Sequence, residues 1–315
     1  MRAEVDAYLK QLASADGPMP TDLGALRVAY AAGVEAAAEQ FPAPPLAERA
    51  WTRCPTPAGD LRVLVQRPVE TREAPVLVYF HGGGFAVAGP EATEFATAQL
   101  ALAAGATVLS VDYRLAPENP YPAAFEDARA VLDWVREEAE EIGVDGGRIA
   151  LGGDSSGGTL AAATALEAGR SGRAVDALLL FYPWLDMSLE GPSMVHLGPT
   201  DAVTPLPLLR AFRAAAFGET RAGWSRSDLL ADDLSSLPET FIAVGGADPF
   251  LSDSERLAKR LREANVDFEY HRFEVQPHGF FTVPFLTDAH RVAALAGSFA
   301  ASRLAAARSG KGVAA

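Results

Sequence analysis

Short uninterrupted apolar runs alternate with amphipathic stretches along most of this chain. Residues 75–80 (PVLVYF), 106–111 (ATVLSV), 149–151 (IAL), 177–182 (ALLLFY) and 240–244 (TFIAV) form the runs. Runs of this length, bounded by turn residues, predict strands buried on both faces of a parallel sheet. Residues 49–55 and 61–67 flank a Thr-Pro-Ala-Gly-Asp turn and predict an antiparallel hairpin. Residues 266–273 alternate apolar and polar positions and predict the last strand.

Helical spacing fills most of the intervals. Val5, Leu9 and Leu12 share one face of residues 2–14, and Leu23, Leu26, Tyr30, Val34 and Ala37 share one stripe after a Thr21 cap. Residues 122–140 turn Ala124, Ala128, Val131, Leu132 and Val135 inward. A later helix has Thr204 as cap, Pro205 in its first turn and Gly218 as its stop. Ser252 and Glu255 have the spacing of a capping box, and a final amphipathic helix covers 288–306.

Strands alternating with helices predict one doubly wound, mostly parallel sheet with a hairpin at its start. Two helices precede any strand, and Pro42-Ala43-Pro44-Pro45 separates them from the rest. The interval between residues 182 and 240 is longer than a plain connection requires, which suggests a lid. The expected division is therefore 1–45 as cap helices, 46–186 as the first part of the core, 187–225 as a cap insertion and 226–315 as the second part.

Composition narrows the partners. The 27 Lys and Arg against 41 Asp and Glu leave a formal charge of −14. Such a surface argues against nucleic acid and anionic membranes as partners. Cys54 is the single cysteine, excluding a disulfide framework or a thiolate cluster and agreeing with a cytoplasmic location. The N-terminal residues carry charges throughout and lack a signal peptide's apolar centre, and the longest apolar run, 177–185, is too short to span a bilayer. The five histidines have no metal-ligand spacing, so neither a metal nor another cofactor is expected.

The chemistry centres on residues 148–160, RIALGGDSSGGTL, where an apolar strand stops at glycines and an alanine-rich helix begins. Gly153-Asp154-Ser155-Ser156-Gly157 fills the Gly-x-Ser-x-Gly pattern, in which a serine sits on a strained strand-to-helix turn. Only Ser155 has glycine on both sides at two residues. A glycine-rich turn with a solvated serine is the competing explanation, so the remaining machinery has to be found elsewhere. Gly82-Gly83-Gly84 follows a strand but fails both phosphate-loop templates, lacking Gly-Lys-Ser/Thr and an adjacent helix. It suits a loop of unhindered backbone N–H groups aimed at an oxyanion, with His81 orienting the loop.

A serine nucleophile needs a base and an orienting carboxylate on loops after later strands. Asp248 and His278 follow the strands at 240–244 and 266–273, giving the order Ser155, Asp248, His278. Asp253 is the rival acid, in the first turn of a helix where a carboxylate has an ordinary dipole role. His271 lies within a strand, His290 within a helix and His196 in the presumed cap.

HGGGF, DYRLAPE, GDSSG and the pair DPFLSD…HGF together resemble the hormone-sensitive-lipase family of bacterial carboxylesterases, over about residues 75–281. The resemblance implies an α/β-hydrolase fold: a mostly parallel central sheet of about eight strands, helices on both faces and a helical cap. It implies Ser155 as nucleophile, His278 as base and Asp248 as its partner, with oxyanion donors on the backbone of Gly83, Gly84 and Ser156. Asp112, Arg114 and Glu118 match a segment that supports the site. The implied substrate is a short- to medium-chain carboxylic ester, with Phe85, Trp184 and the cap helix from Leu206 to Phe212 as pocket walls. An exposed last strand and C-terminal helix would suit a homodimer. The chain departs from the family in having Ser156, where alanine is usual, and Gln276-Pro277 before His278. Two alternatives remain at this level: an amidase or formamidase using the same triad, and a non-catalytic ligand receptor on this fold, against which the presence of His278 counts.

Overall fold

The computed structural model describes residues 2–14, 22–70, 73–219 and 229–310. Eight strands form one sheet: β1 (Glu48–Cys54), β2 (Leu61–Arg67), β3 (Val76–Phe80), β4 (Thr107–Asp112), β5 (Ile149–Asp154), β6 (Ala177–Phe181), β7 (Thr240–Gly245) and β8 (Phe268–Phe273). Their order is β1-β2-β4-β3-β5-β6-β7-β8. β1 and β2 pair antiparallel, as do β2 and β4, and the pairings from β4 to β8 are parallel.

Before the sheet come α1 (Arg2–Ser14) and α2 (Leu23–Gln40). The expected Thr21 cap lies outside the described residues, and the side chain of Asp22 caps α2 by accepting the Ala25 N–H at 2.8 Å. The helices of the core are α3 (Glu94–Ala104), α4 (Ala123–Glu137), α5 (Ala139–Ile142) and α6 (Ser156–Arg170). They are followed by α7 (Pro192–Leu197), α8 (Leu206–Phe217), α9 (Leu251–Glu263) and α10 (Thr287–Gly310).

The pleat of each strand divides the core in two. Val76, Val78 and Phe80 of β3 join the cluster under α4, α6 and α9, whereas Leu77 and Tyr79 join the one under α3 and α10. Consecutive strand residues face opposite sides, so an unbroken apolar run serves both clusters at once. α3 went unseen in the sequence pattern. It is pressed between the sheet and α10, with Ala96, Thr97, Ala98, Leu100, Ala101 and Ala104 all buried, and because its outer side carries the exposed Leu102 and Ala103 as well, it has no polar stripe to betray its period.

Two helix starts differ from expectation. α9 begins at Leu251 with no side-chain cap, and Ser252 lies inside it, its Oγ 2.7 Å from Ser193 Oγ. Glu255 pairs instead with Arg272 at 3.6 Å. α8 begins at Leu206 with Pro205 as its extended cap residue, while Asp201 Oδ1 accepts the N–H groups of Val203 and Thr204. Gly218 ends that helix as expected, at φ 78°.

Candidate active site

The carboxyl ends of β3, β5, β7 and β8 converge on one region, and the loops leaving them carry the chemistry. At the end of β5 the chain turns directly into α6. Ser155 occupies the turn at φ 52° and ψ −120°, a strained conformation for a residue with a side chain. The turn is tight enough that a Cβ on Gly157 would overlap the Phe80 carbonyl and one on Gly153 would overlap Gly157. Glycine at both positions is therefore a packing requirement. α6 points its N-terminus at the serine, with the first amide N–H groups of the helix free of intrahelical partners.

Ser155 Oγ lies 2.9 Å from His278 Nε2. The other ring nitrogen, Nδ1, lies 3.0 Å and 3.1 Å from the two carboxylate oxygens of Asp248. All three side chains are buried, with residue exposures of 8% for Ser155, 4% for His278 and 0% for Asp248. The rings of Tyr182 and Phe250 flank the imidazole at centroid distances of 4.7 and 4.9 Å and fix its plane. Asp248 also accepts the Phe250 N–H at 2.7 Å, which holds its carboxylate in place. Burial disfavours a charged His278, but the charge and hydrogen bonds of Asp248 outweigh it, helped by Asp201 and Asp154. The net effect raises the histidine pKa above its ordinary 6.5.

The rival groups have other occupations. Asp253 is buried and its Oδ2 accepts the backbone N–H groups of Leu185 and Asp186 at 2.9 and 2.8 Å, tying down the segment after β6. Its role is thus more specific than the dipole contact expected from its position. His271 stacks on Phe241, His290 bonds to Gln99 and the Pro284 carbonyl, and His196 is exposed on α7.

The loop after β3 faces Ser155. Gly83 and Gly84 border the same cavity as Ser155, and both have positive φ, 109° and 62°. A Cβ on Gly84 would overlap the Phe212 ring of α8, so the backbone here is approached too closely for any side chain. The loop is bonded to both neighbours of Ser155: Asp154 Oδ1 accepts the Gly82 N–H at 2.9 Å, and Ser156 Oγ accepts the Phe85 N–H at 3.3 Å. Burial pushes the Asp154 pKa up to about 6, against the opposing bonds from Tyr79 and Gly82. His81 stacks on Tyr113 at 4.3 Å and bonds through Nδ1 to the Gly82 carbonyl at 2.7 Å. Burial lowers its pKa to about 4, leaving it neutral and occupied with the loop.

The cavity has a volume of about 280 Å³. Trp184, Leu208, Leu209 and Phe212 line it, and α1 and α2 contribute Tyr8, Leu12, Leu26 and Tyr30. Phe85 and Leu206 do not border it. Phe85 is buried among Phe125, Trp184 and Phe217, and Leu206 is partly buried at the start of α8. Leu208, Leu209 and Phe212 belong to the helix expected to wall the pocket, whereas Tyr8, Leu12, Leu26 and Tyr30 escaped notice because apolar periodicity marks a buried helix face without saying what it faces. Among the described residues no cluster of three or more His, Cys, Asp or Glu is arranged to hold a metal ion. Among them, too, no helix is long and apolar enough to cross a membrane.

A buried serine, histidine and aspartate at the strand ends of this sheet define an α/β-hydrolase. The profile of the alpha/beta hydrolase fold matches residues 77–282. Esterase LipI of Mycobacterium tuberculosis is 40% identical over 254 residues, covering 74% of this chain and 76% of the relative. Carboxylesterase NlhH of the same organism is 36% identical over 241 residues, covering 73% and 74%. Among solved structures, the hyperthermophilic esterase of the archaeon Pyrobaculum calidifontis superposes with a TM-score of 0.89 at 30% identity, over 94% of this chain and 96% of the other. The chain belongs to the α/β-hydrolase family, in its hormone-sensitive-lipase branch of carboxylesterases. It is a carboxylic ester hydrolase, and the receptor alternative falls away.

Proposed function

We propose that Ser155, His278 and Asp248 hydrolyse short- to medium-chain carboxylic esters through an acyl-enzyme. The observation that carries this reading is the continuous hydrogen-bonded path from Asp248 through His278 to Ser155. His278 takes the Ser155 proton as the oxygen attacks the ester carbonyl, and Asp248 stabilises the imidazolium that forms. The N–H groups of Gly83, Gly84 and Ser156 hold the developing oxyanion. His278 then protonates the leaving alcohol, and water repeats the sequence on the acyl-enzyme.

Chain-length preference follows from the cavity. Its roughly 280 Å³ lies just under the range of pockets that enclose drug-sized ligands, about 300–1,000 Å³. Trp184, Leu208, Leu209 and Phe212 supply apolar walls for an acyl group. Residues 1–45 and 187–225 act as the cap, since their helices provide much of the lining. The reading extends to a homodimer through the free edge of β8 with α10, tested by sedimentation, and to a cytoplasmic location, tested by fractionation.

Hydrolysis of p-nitrophenyl esters across acyl lengths, with Ser155→Ala in parallel, tests the proposal. A maximum at short to middle lengths that vanishes in the variant supports it. Turnover surviving in Ser155→Ala would remove that serine as nucleophile, and a maximum at long chains would overturn the substrate class.

A further inference from the structure

One guanidinium ties the N-terminal helices to the catalytic loops. Arg27, on α2, donates from Nε to the Ala86 carbonyl at 2.7 Å and from Nη2 to the Ala116 carbonyl at 2.6 Å. It also grips Glu118 with both Nη groups, at 2.7 and 2.8 Å. Ala86 belongs to the loop that carries the oxyanion glycines. The N–H groups of Ala86 and Val87 both donate to the Gly83 carbonyl, at 3.1 and 3.0 Å, so the peptide held by Arg27 closes a turn on Gly83 itself. Ala116 is bonded to the same loop, its N–H donating to the Phe85 carbonyl at 2.9 Å.

That loop does not rest in a relaxed conformation. Phe85 and Ala88 have φ of 63° and 73°, values that side-chain-bearing residues hold only when their surroundings impose them. On its inner side the loop is fixed by Asp154 and Ser156, the two neighbours of the nucleophile. On its outer side the Ala86 carbonyl is held by Arg27, from a helix outside the sheet. The planar fork of arginine suits this place because it reaches two carbonyls and a carboxylate at once.

We propose that Arg27 is a positioning residue for the oxyanion loop, so that the loop reaches its working geometry only when α2 is docked. The inference rests on the oxyanion roles of Gly83 and Gly84 proposed above. Arg27 touches no substrate. It makes transition-state stabilisation dependent on the helices that cover the pocket, so an uncovered site loses turnover in addition to the part of its wall that those helices supply.

Arg27→Lys, Arg27→Ala and Glu118→Gln, assayed on p-nitrophenyl butyrate, separate positioning from simple anchorage. Lysine keeps a charge beside Glu118 but cannot span the three acceptors. Glu118→Gln removes the ion pair and leaves both carbonyl bonds. The expected result is a fall in kcat of about 10- to 100-fold in both Arg27 variants, the scale of a small misplacement of catalytic groups. Affinity for a trifluoromethyl ketone, whose hemiketal oxygen needs the same donors, falls in parallel. The His278-controlled limb of the pH profile stays in place, Glu118→Gln loses little kcat, and added ethylguanidinium restores part of the activity of Arg27→Ala.

A rise in KM with kcat and ketone affinity unchanged would overturn the proposal in favour of anchorage. Equal loss of kcat in Glu118→Gln would do the same by assigning the effect to the ion pair. Circular dichroism checks that each variant is folded; where Arg27→Ala is not, Arg27→Lys decides the matter. Failure here leaves the Ser155→Ala result untouched, so the two readings fall separately.

Discussion

His278 Nε2 stands 2.9 Å from Ser155 Oγ although 123 residues separate the two in the chain. The contact joins the end of β5 to the loop after β8, two strands that are not neighbours in the sheet. It exists because parallel strands deliver their carboxyl ends to one edge of the sheet, where their loops meet.

Removing any member of this relay should abolish turnover without unfolding the protein. Ser155→Ala, His278→Gln and Asp248→Asn are each expected to lower kcat by about 10⁴-fold or more, as in other serine triads. The three effects should not add, because the residues act as a unit. Single and double variants assayed on one ester check this. A double variant losing the product of the single losses would contradict it.

The pH profile should carry the mark of Asp248. His278 must be neutral to accept the proton, and its pKa lies above 6.5 because Asp248 favours the imidazolium. Activity therefore rises with pH through a midpoint above 6.5 and stays low in acid. In Asp248→Asn the residual activity should have a lower midpoint, since the attraction is gone while the burial remains. The dependence of kcat/KM on pH measures both midpoints; an unchanged midpoint would show that Asp248 does not set the histidine's charge.

Asp253 should make stability depend on pH. Burial pushes its pKa from an ordinary 3.8 to about 7, more than its backbone bonds at Leu185 and Asp186 pull it back. Between these values the unfolded carboxyl ionises in water while the folded one keeps its proton. The stabilisation is thus full below about pH 4 and is lost as pH rises through about 7. Asparagine retains an oxygen for the two N–H groups and removes the ionisation. Asp253→Asn should therefore gain in stability relative to the parent as pH goes from 4 to 8, by an amount on the order of a few kcal/mol, seen as a rise in its relative melting temperature. Melts across that range decide it, and a constant difference would count against the assignment.

Phe212 should set the depth of the pocket. It stands against Gly84 and closes one side of the cavity. Phe212→Ala is expected to move the acyl optimum to longer chains, with an accompanying stability loss of roughly 3–5 kcal/mol if the space does not collapse. The p-nitrophenyl series measures the first effect and denaturant melts the second. An optimum that stays in place would assign the depth to Leu208 and Leu209.

Much of this protein was legible in its sequence because it depends on local rules. The apolar runs at β3, β6 and β7 announce strands buried on both faces, and Gly153 and Gly157 announce the elbow because no larger residue fits beside Phe80. The order of Ser155, Asp248 and His278 follows from their places after successive strands. α3 could not be seen, since apolar residues on its exposed side, Leu102 and Ala103, remove the contrast that makes a helix visible. The cap assignments at Thr204 and Ser252 missed by a residue or two, because Asp201 and Ser193, supplied by other turns, took up the bonds.

By itself, then, the sequence determined all the strands, most of the helices and which residues have chemistry to offer, since periodicity, turn geometry and side-chain type are properties of neighbouring positions. Only the tertiary structure decided which of them meet. It placed Phe212 against Gly84, turned Phe85 away from the cavity, engaged Asp253 with Leu185 and Asp186, and brought Arg27 to Ala86 across 59 positions of chain. The physical reason is that these contacts arise from packing helices and loops from distant parts of the chain against one another over the sheet, and such packing depends on the shape of the whole assembled core.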